Sequence, residues 1–243
     1  MSGQKRQLSK RCVVLTGAGI SAESGIQTFR DQNGLWENHR IEDVATPEGF
    51  ARDPQLVQHF YNLRRAQLLS PAVQPNPAHI ALAEFEKTFR GEFLLVTQNV
   101  DDLHERAGSH NLRHMHGELL KARCTHCSSI VPWQADIELL SPCPRCHRSG
   151  SLRPHIVWFG EMPLYMQEIY DALRQCDLFV SIGTSGHVYP AAGFVEQARA
   201  AGARTVELNL ERSAANSFFD ESYQGLASVM IPQFFAQVQH PGA

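Results

Sequence analysis

The chain lacks the features that would direct it to a membrane or to nucleic acid. No apolar run approaches the roughly 20 residues that span a bilayer, and the polar start at residues 1–10 has no apolar segment of a secretory signal. The formal charge of -3 and isoelectric point near 6.4 exclude a general attraction to nucleic acid or anionic lipid. Neither repeats nor low-complexity linkers divide the 243 residues. We therefore expect one globular, cytoplasmic domain with a loose tail over residues 1–10.

Cysteine is scarce, but four of the six cysteines are paired in Cys-x-x-Cys spacing. They are Cys124, Cys127, Cys143 and Cys146. Two residues between thiolates let one tight turn present both sulfurs to one ion, so the spacing predicts a tetrahedral zinc site. Two disulfides or a redox pair on a helix fit less well, because turn-forming residues flank both pairs. Four thiolates leave no ligand position for water, so the zinc is expected to be structural.

Alternating strand and helix patterns predict a Rossmann-like α/β fold with a doubly wound parallel sheet. Strands are predicted at residues 11–16, 93–97, 178–182, 205–210 and 226–231. Helices are predicted at residues 56–70, 77–91, 163–176, 190–201 and 233–239. A small inserted module completes the fold, made of a helical insertion at residues 36–74 and a zinc ribbon at residues 118–151. The ribbon is too poor in large apolar residues to form its own core, so the metal replaces one.

Several predicted strands end in residues suited to a nucleotide. The first strand runs into Gly17-Ala18-Gly19-Ile20-Ser21-Ala22, which has the Gly-x-Gly-x-x-Ala form of a dinucleotide-binding turn. Gly183-Thr184-Ser185-Gly186 follows the third strand, and Asn209 to Glu211 end the next. An ordinary tight turn would explain the first motif alone. Because parallel strands end at one edge of a sheet, where such sheets bind ligands, the set predicts a nucleotide site with glycines that approach a pyrophosphate.

Further polar residues follow the strand at residues 93–97. Gln98, Asn99 and Asp101 suit a ribose and a carboxamide, although Asp101 could serve only as a helix cap. His116 ends a stretch with four histidines, and a histidine in isolation is more often structural. A second metal site made of these histidines is disfavoured, since they lack helical i, i+4 spacing.

Six motifs occur in the order in which they occur in sirtuins, and the chain resembles that family from about residue 11 to residue 238. The motifs are Gly17-Ala18-Gly19-Ile20-Ser21, Phe29-Arg30-Asp31, Thr97-Gln98-Asn99-Val100-Asp101, His116-Gly117-Glu118, the four cysteines and Gly183-Thr184-Ser185. Each motif alone is modest, but six in order make a chance match very rare. The compact chain resembles the bacterial form of the family.

The resemblance implies an NAD-dependent protein-lysine deacylase that releases nicotinamide and O-acyl-ADP-ribose. The acyl oxygen would attack the ribose, nicotinamide would leave, and His116 would be the general base that lets a ribose hydroxyl attack the resulting imidate. Phe29 would shield the reactive face. The residues expected to contact NAD are Gly17, Ala18, Gly19, Ser21, Ala22, Phe29, Arg30, Gln98, Asn99, Asp101, Gly183, Thr184, Ser185, Asn209, Leu210, Glu211 and Ala227.

The resemblance also implies how an acyl-lysine protein would bind. Tyr61 and Arg64, three apart on the inserted helix, resemble the class III pattern, in which they receive the distal carboxylate of a succinyl or malonyl group. Without the resemblance, a core tyrosine and a solvated arginine are equally good interpretations. Residues 157–159 (Val157, Trp158 and Phe159) are expected to pair with an extended substrate peptide as an added strand. Removal of both acetyl and succinyl groups is therefore expected.

Other functions use some of the same features. Mono-ADP-ribosyl transfer would use the same NAD site, although Tyr61, Arg64 and His116 favour deacylation. A zinc-ribbon DNA-binding protein would leave both nucleotide turns without a role, and a nicotinamide dehydrogenase would need a hydride acceptor site. No nucleic acid or membrane partner is expected, and the sequence indicates no oligomeric state.

Overall fold

The computed structural model describes residues 10–27, 35–36 and 39–239. Its strands are β1 Arg11–Thr16, β2 Leu35–Trp36, β3 His39–Arg40, β4 Glu92–Thr97, β5 Leu112–His114, β6 Gly117–Cys124, β7 Ile130–Pro132, β8 Leu152–Ile156, β9 Leu178–Ile182, β10 Arg204–Asn209 and β11 Glu221–Gln224. Its α-helices are α1 Ile41–Val44, α2 Pro47–Arg52, α3 Pro54–Leu68, α4 Pro77–Thr88, α5 Leu103–Ala107, α6 Met166–Leu173, α7 Phe194–Ala200 and α8 Ala227–Gln239. None of the helices so described is long and apolar enough to cross a lipid bilayer.

Six parallel strands form the main sheet in the order β11-β10-β9-β1-β4-β5, which confirms the predicted α/β fold class. The central strand β1 buries a different cluster on each face. Cys12 and Val14 pack with α4 and α8, whereas Val13 and Leu15 pack with α6 and α7. Successive side chains of a strand point to opposite faces, so an unbroken apolar run indicates a strand that is covered on both sides.

The chain leaves the main sheet twice to form the inserted module. Helices α1 to α3 lie between β1 and β4, and the antiparallel sheet β7-β6-β8 lies between β5 and α6. One apolar cluster joins the two insertions, with Phe60 from α3, Leu119 from β6 and Trp158 from the segment after β8. A separate small cluster surrounds the cysteine turns. The module therefore has a shared core beside the main sheet.

The predicted strand at residues 226–231 is wrong. Residues 227–231 belong to α8, Leu226 lies just before it, and the last strand of the sheet is the polar β11. Ile231, Phe234 and Phe235 lie at helical spacing on the main core, and this packing explains why the segment is helical despite Pro232. The helix predicted at residues 163–176 is shorter, Met166–Leu173. The one predicted at residues 190–201 begins with a 3-10 turn before α7.

The turn after β1 does not open an α-helix. It continues as two 3-10 turns, Ala18–Ile20 and Ala22–Ser24, and ends at Gly25, where φ is +86°. Glycine adopts this left-handed backbone without the steric cost of a side chain.

Candidate active site

Strands β1, β4 and β9 end together at one edge of the main sheet, as predicted. Thr16 pairs with both Thr97 and Ile182, so the three following turns lie side by side. The Gly17 amide donates to the Ile182 carbonyl at 2.9 Å, and the Gln98 amide donates to the Thr16 carbonyl at 2.9 Å. These bonds extend the strand pairing into the turns and fix their relative positions.

The turns at Gly17 and Gly183 pack backbone against backbone. The Gly19 amide donates to the Gly183 carbonyl at 2.9 Å. A Cβ atom on Gly17 would lie 2.8 Å from the Gly183 oxygen, and one on Gly19 would lie 2.7 Å from the Gly183 Cα. Gly183 also has a φ of +62°. The two turns can thus contact each other only because these positions are glycine. The sequence interpretation gave a different reason for the glycines, the approach of the backbone to a pyrophosphate.

The other predicted nucleotide residues lie around this pair of turns. Asn209 Nδ2 donates to the Thr184 carbonyl at 2.7 Å, so the end of β10 is tied to the second turn. Ser185 and residues 210–211 are exposed at the same edge. Ala227 is the first residue of α8. Phe29 and Arg30 lie outside the described residues.

A buried network lies beneath the edge. Ser21 Oγ donates to Asp101 Oδ2 at 3.0 Å, and Asn99 Nδ2 donates to Ser21 Oγ at 3.1 Å. Burial raises the pKa of Asp101 to about 6, against the lowering effect of hydrogen bonds from the Leu103 amide and Ser21. All of Ser21, Asn99 and Asp101 are more than nine-tenths buried. The network therefore fixes the orientation of Asn99 and Asp101.

Sequence patterns do not single out His79 and His104, which extend this network. His79 Nδ1 accepts from the Asn76 amide at 3.3 Å in a capping box, and its Nε2 lies 3.4 Å from Ser21 Oγ. His104 Nε2 lies 3.0 Å from Thr16 Oγ1, and the two imidazole centroids are 4.9 Å apart. Burial lowers the pKa of both, to about 4 for His79. The helix cap was the available sequence signal, and it gives no hint of the contact with Ser21.

His114 and His116 hold two consecutive carbonyl groups after β4. His116 Nδ1 lies 3.2 Å from the Gln98 oxygen, and His114 Nδ1 lies 3.0 Å from the Asn99 oxygen. Because a carbonyl oxygen only accepts, both Nδ1 atoms carry hydrogen. Burial lowers the pKa of His116, although the bond to Gln98 partly offsets this effect. At neutral pH, His116 is therefore neutral, with its lone pair on Nε2, as a general base requires.

His114 forms an ion pair with Glu105 on the side away from the Asn99 carbonyl. Its Nε2 lies 2.7 Å from Glu105 Oε1, while Lys121 Nζ lies 2.6 Å from Glu118 Oε2. Ligand atoms of Glu105, His114 and Glu118 do lie within 4.8 Å of one another. The pairings with His114 and Lys121 already account for the closeness of both carboxylates.

Tyr61 and Arg64 are differently placed on α3. Tyr61 is 1% exposed, and its hydroxyl accepts a hydrogen bond from Trp158 Nε1 at 3.0 Å. Arg64 is half-buried, with its guanidinium 3.5 Å above the Phe60 ring and its NH1 donating to the Phe60 carbonyl. The next residue, Arg65, is fully buried.

The predicted peptide-pairing stretch already uses its backbone N–H groups. The Val157 amide donates to the His116 carbonyl, and the Phe159 amide donates to the Ala45 carbonyl, each at 2.9 Å. The Trp158 amide donates to Glu161 Oε2 at 2.8 Å. Pairing with an added peptide strand would thus rely on carbonyl oxygens in this conformation.

The four cysteines come together with the dimensions of a zinc site. The Sγ atoms of Cys124 and Cys146 are 3.7 Å apart, and those of Cys127 and Cys143 are 3.8 Å apart. All four sulfurs lie within 4.8 Å of one another. Tetrahedral Zn–S bonds of about 2.3 Å place sulfurs about 3.8 Å apart, so the cluster fits a closed four-thiolate site.

Comparisons with known proteins agree with this arrangement. The NAD-dependent protein deacylase of Salmonella typhimurium is 62% identical over 92% of this chain and 82% of its own length. That of Vibrio cholerae is 61% identical over 94% and 93%. A crystal structure of a Sir2 homologue–NAD complex superposes with a TM-score of 0.86 at 38% identity, covering 96% of this chain and 91% of the other. A model of the Sir2 family matches residues 17–190, and the chain therefore belongs to the Sir2 family.

Proposed function

We propose that this protein is an NAD-dependent protein-lysine deacylase that removes acetyl and succinyl groups. The observation that carries the proposal is the state of His116. Its imidazole is neutral and carries its hydrogen on Nδ1, which bonds the Gln98 carbonyl, and Gln98 lies at the edge where β1, β4 and β9 end. The deacylases of Salmonella typhimurium and Vibrio cholerae support the same activity through their high identity. Malonyl removal is proposed on the same chemical grounds as succinyl removal.

Bound NAD supplies a ribose carbon from which nicotinamide can depart, so that an acyl group can pass to the ribose. The residues of the chain supply proton transfer and orientation. His116 Nε2 takes the proton of a ribose hydroxyl, a contribution typically worth about 10² to 10⁴ in rate. Asn99 and Asp101 present polar groups to the ribose and carboxamide, and the fully buried Ser21 acts through both of them.

The proposed acyl site consists of Tyr61 and Arg64. A hydroxyl and a guanidinium are both hydrogen-bond donors, and together they suit a distal carboxylate. The positive charge of Arg64 lowers the pKa of Tyr61, against the larger raising effect of burial. An acetyl group has no distal carboxylate, so it would bind without this contact.

The proposed protein substrate binds as an extended peptide along residues 157–159. A Sir2 protein bound to a myristoylated histone peptide is similar to this chain, with a TM-score of 0.74 and 32% identity. Backbone pairing reads little side-chain sequence, so we expect many lysine sites to be accepted. A cytoplasmic location suits the thiolates of the zinc site and the buried free thiols of Cys12 and Cys176.

Matched acetyl-lysine and succinyl-lysine peptides test the proposal when peptide mass and nicotinamide are followed with NAD present. We expect one nicotinamide for each acyl group removed and no activity in His116→Tyr. Arg64→Met should lower kcat/KM for the succinyl peptide about 10- to 150-fold, as expected for a charge-assisted bond worth about 1.5 to 3 kcal/mol. Acetyl removal should change little. Arg52→Met is the matched control, because it removes an exposed arginine that pairs with Asp43.

Other outcomes have distinct meanings. Removal of acetyl alone would keep the deacylase and remove the carboxylate-binding role of Tyr61 and Arg64. Consumption of NAD with ADP-ribose attached to proteins, and without deacylation, would replace the proposal with mono-ADP-ribosyl transfer.

A further inference from the structure

We infer that Trp158 is a positioning residue for acyl selection, because its indole N–H turns the Tyr61 hydroxyl so that the phenolic hydrogen is donated toward the acyl group. The inference rests on the proposed role of Tyr61 and Arg64 as receptors for a distal carboxylate. It adds a residue whose backbone lies in the predicted peptide-pairing stretch. Peptide docking and acyl selection would then share one side chain.

The direction of the hydrogen bond follows from the chemistry of its two groups. An indole N–H can only donate, so the Tyr61 oxygen is the acceptor in the 3.0 Å contact. Across residues 10–27, 35–36 and 39–239, this is the one hydrogen bond that the Tyr61 hydroxyl makes. The phenolic hydrogen must therefore point away from the indole. Burial raises the pKa of Tyr61 well above its ordinary value, so the hydrogen is retained at neutral pH.

Trp158 is itself held on several sides. The guanidinium of Arg153 lies 3.3 Å from the centroid of the Trp158 ring. Arg153 in turn bonds both carboxylate oxygens of Glu161, at 2.7 and 3.0 Å, and Glu161 also accepts from the Trp158 amide. The ring of Phe50 packs against the indole at a centroid distance of 5.2 Å. With 2% of its surface exposed, the indole has little freedom to turn away from Tyr61.

The arrangement distinguishes between acyl groups. The oriented hydroxyl of Tyr61 and the cationic Arg64 are both donors, and the Trp158 N–H occupies one acceptor lone pair of the phenol oxygen. A distal carboxylate can accept from both groups, whereas the methyl end of an acetyl group can accept from neither. Loss of the indole N–H would let the hydroxyl rotate and would weaken carboxylate binding selectively.

A double-mutant cycle between Trp158→Phe and Tyr61→Phe tests this coupling, with kcat/KM measured on acetyl and succinyl peptides. Trp158→Phe should lower the succinyl value roughly three- to tenfold relative to the acetyl value, the size expected for one hydrogen bond. Tyr61→Phe should produce a selective loss at least as large. In the Tyr61→Phe background, Trp158→Phe should produce no further selective loss. Phe50→Leu is the control for loosened packing, and it should affect both peptides equally.

An equal effect of Trp158→Phe on both peptides would overturn the inference, as would a selective loss that persists in the Tyr61→Phe background. A Tyr61→Phe variant without acyl selectivity would also overturn it, because the hydroxyl would then have no selective role. Nicotinamide release with the acetyl peptide reports separately on the proposed deacylase. If Trp158→Phe does not fold, Glu161→Gln replaces it. That variant keeps the indole but loosens Arg153, and it should show a smaller loss of the same selectivity.

Discussion

His114 and Glu105 form a hydrogen-bonded ion pair, with 2.7 Å between Nε2 and Oε1, while His114 Nδ1 donates to the Asn99 carbonyl. Burial disfavours the charge on His114, but the contact with Glu105 outweighs it and raises the pKa of His114. Burial likewise disfavours the charge on Glu105, but the bond to His114 lowers its pKa. The negative charge of Glu118 raises the pKa of His114 further, and the positive charge of His114 lowers the pKa of Asp101 and of Asp102.

The pair makes stability depend on pH in a defined direction. The raised pKa of His114 means that its contribution is complete below about pH 6.5 and is lost as the pH rises through the folded-state pKa. The lowered pKa of Glu105 means that its contribution is lost only in more acidic solution. Glu105→Gln should therefore cost more stability at pH 6 than at pH 9. Because the carboxylate is 41% exposed, we expect only about 1 kcal/mol at pH 6.

Urea unfolding at the two pH values measures this difference. The matched control is Glu168→Gln. It removes the carboxylate that pairs with Arg113, the neighbour of His114 on β5. Arginine does not titrate in this range, so the control should cost the same at both pH values. A Glu105→Gln variant with equal losses at pH 6 and pH 9 would contradict the ion pair.

The protonation of His116 predicts the acidic limb of the rate profile. A general base must be neutral, and burial lowers the pKa of His116 below its ordinary value of 6.5. The kcat/KM for an acetyl peptide should thus hold at pH 6.5 and fall only in more acidic solution. His116→Gln should lose about 10² to 10⁴ in rate. The exposed His110 is the control, since His110→Gln should leave the acidic fall in kcat/KM unchanged. If that fall remains in His116→Gln, it belongs to another titrating group.

The central sheet could be predicted from sequence because its strands are covered on both faces. Such strands are mainly apolar, as at β1 and β9, and recognisable turn residues follow each of them. The edge strand β11 is polar and mostly exposed, and it has no such pattern. The sequence therefore predicts the last strand at the apolar residues just after it. The spacing of Ile231, Phe234 and Phe235 does contain the helical signal, but Pro232 obscured it.

The site could be predicted only where a motif is local. The cysteine pairs and the two glycine turns are short patterns, and the structure brings the members of each together. The contact of His79 with Ser21 joins residues 58 positions apart. That of Trp158 with Tyr61 spans 97 positions. No spacing rule encodes such pairs, because they arise from the packing of separate elements in a shared core.

Removal of the zinc should unfold the cysteine module without removing a catalytic group. The cluster around the cysteine turns is small, so the metal is expected to contribute on the order of 10 kcal/mol to folding. Cys143→Ala should lower the zinc content measured by mass spectrometry from one ion per chain toward none. Cys176→Ala is the control, because Cys176 lies outside the four-cysteine cluster, and this variant should keep the ion. Cobalt-loaded protein should remain an active deacylase, and a catalytic dependence on zinc itself would contradict a structural site.

The contact between the two glycine turns predicts that Gly183→Ala is severely destabilising. Its φ is +62°, and an added Cβ would lie 2.5 Å from the Ile20 amide nitrogen, a backbone atom that cannot turn aside. Backbone strain and steric overlap together should cost roughly 2 to 5 kcal/mol. Gly193→Ala is the control, because the nearest neighbour of the added Cβ would be a Tyr189 ring atom at an ordinary 3.6 Å and the φ of Gly193 is negative. We expect the stability of Gly193→Ala to lie within about 1 kcal/mol of that of the parent.

Urea unfolding separates the two variants, and calorimetry with NAD shows whether the folded fraction of Gly183→Ala still binds. A Gly183→Ala protein as stable as Gly193→Ala would mean that the turns can separate, and the close packing of Gly17 and Gly19 would then lose its structural explanation.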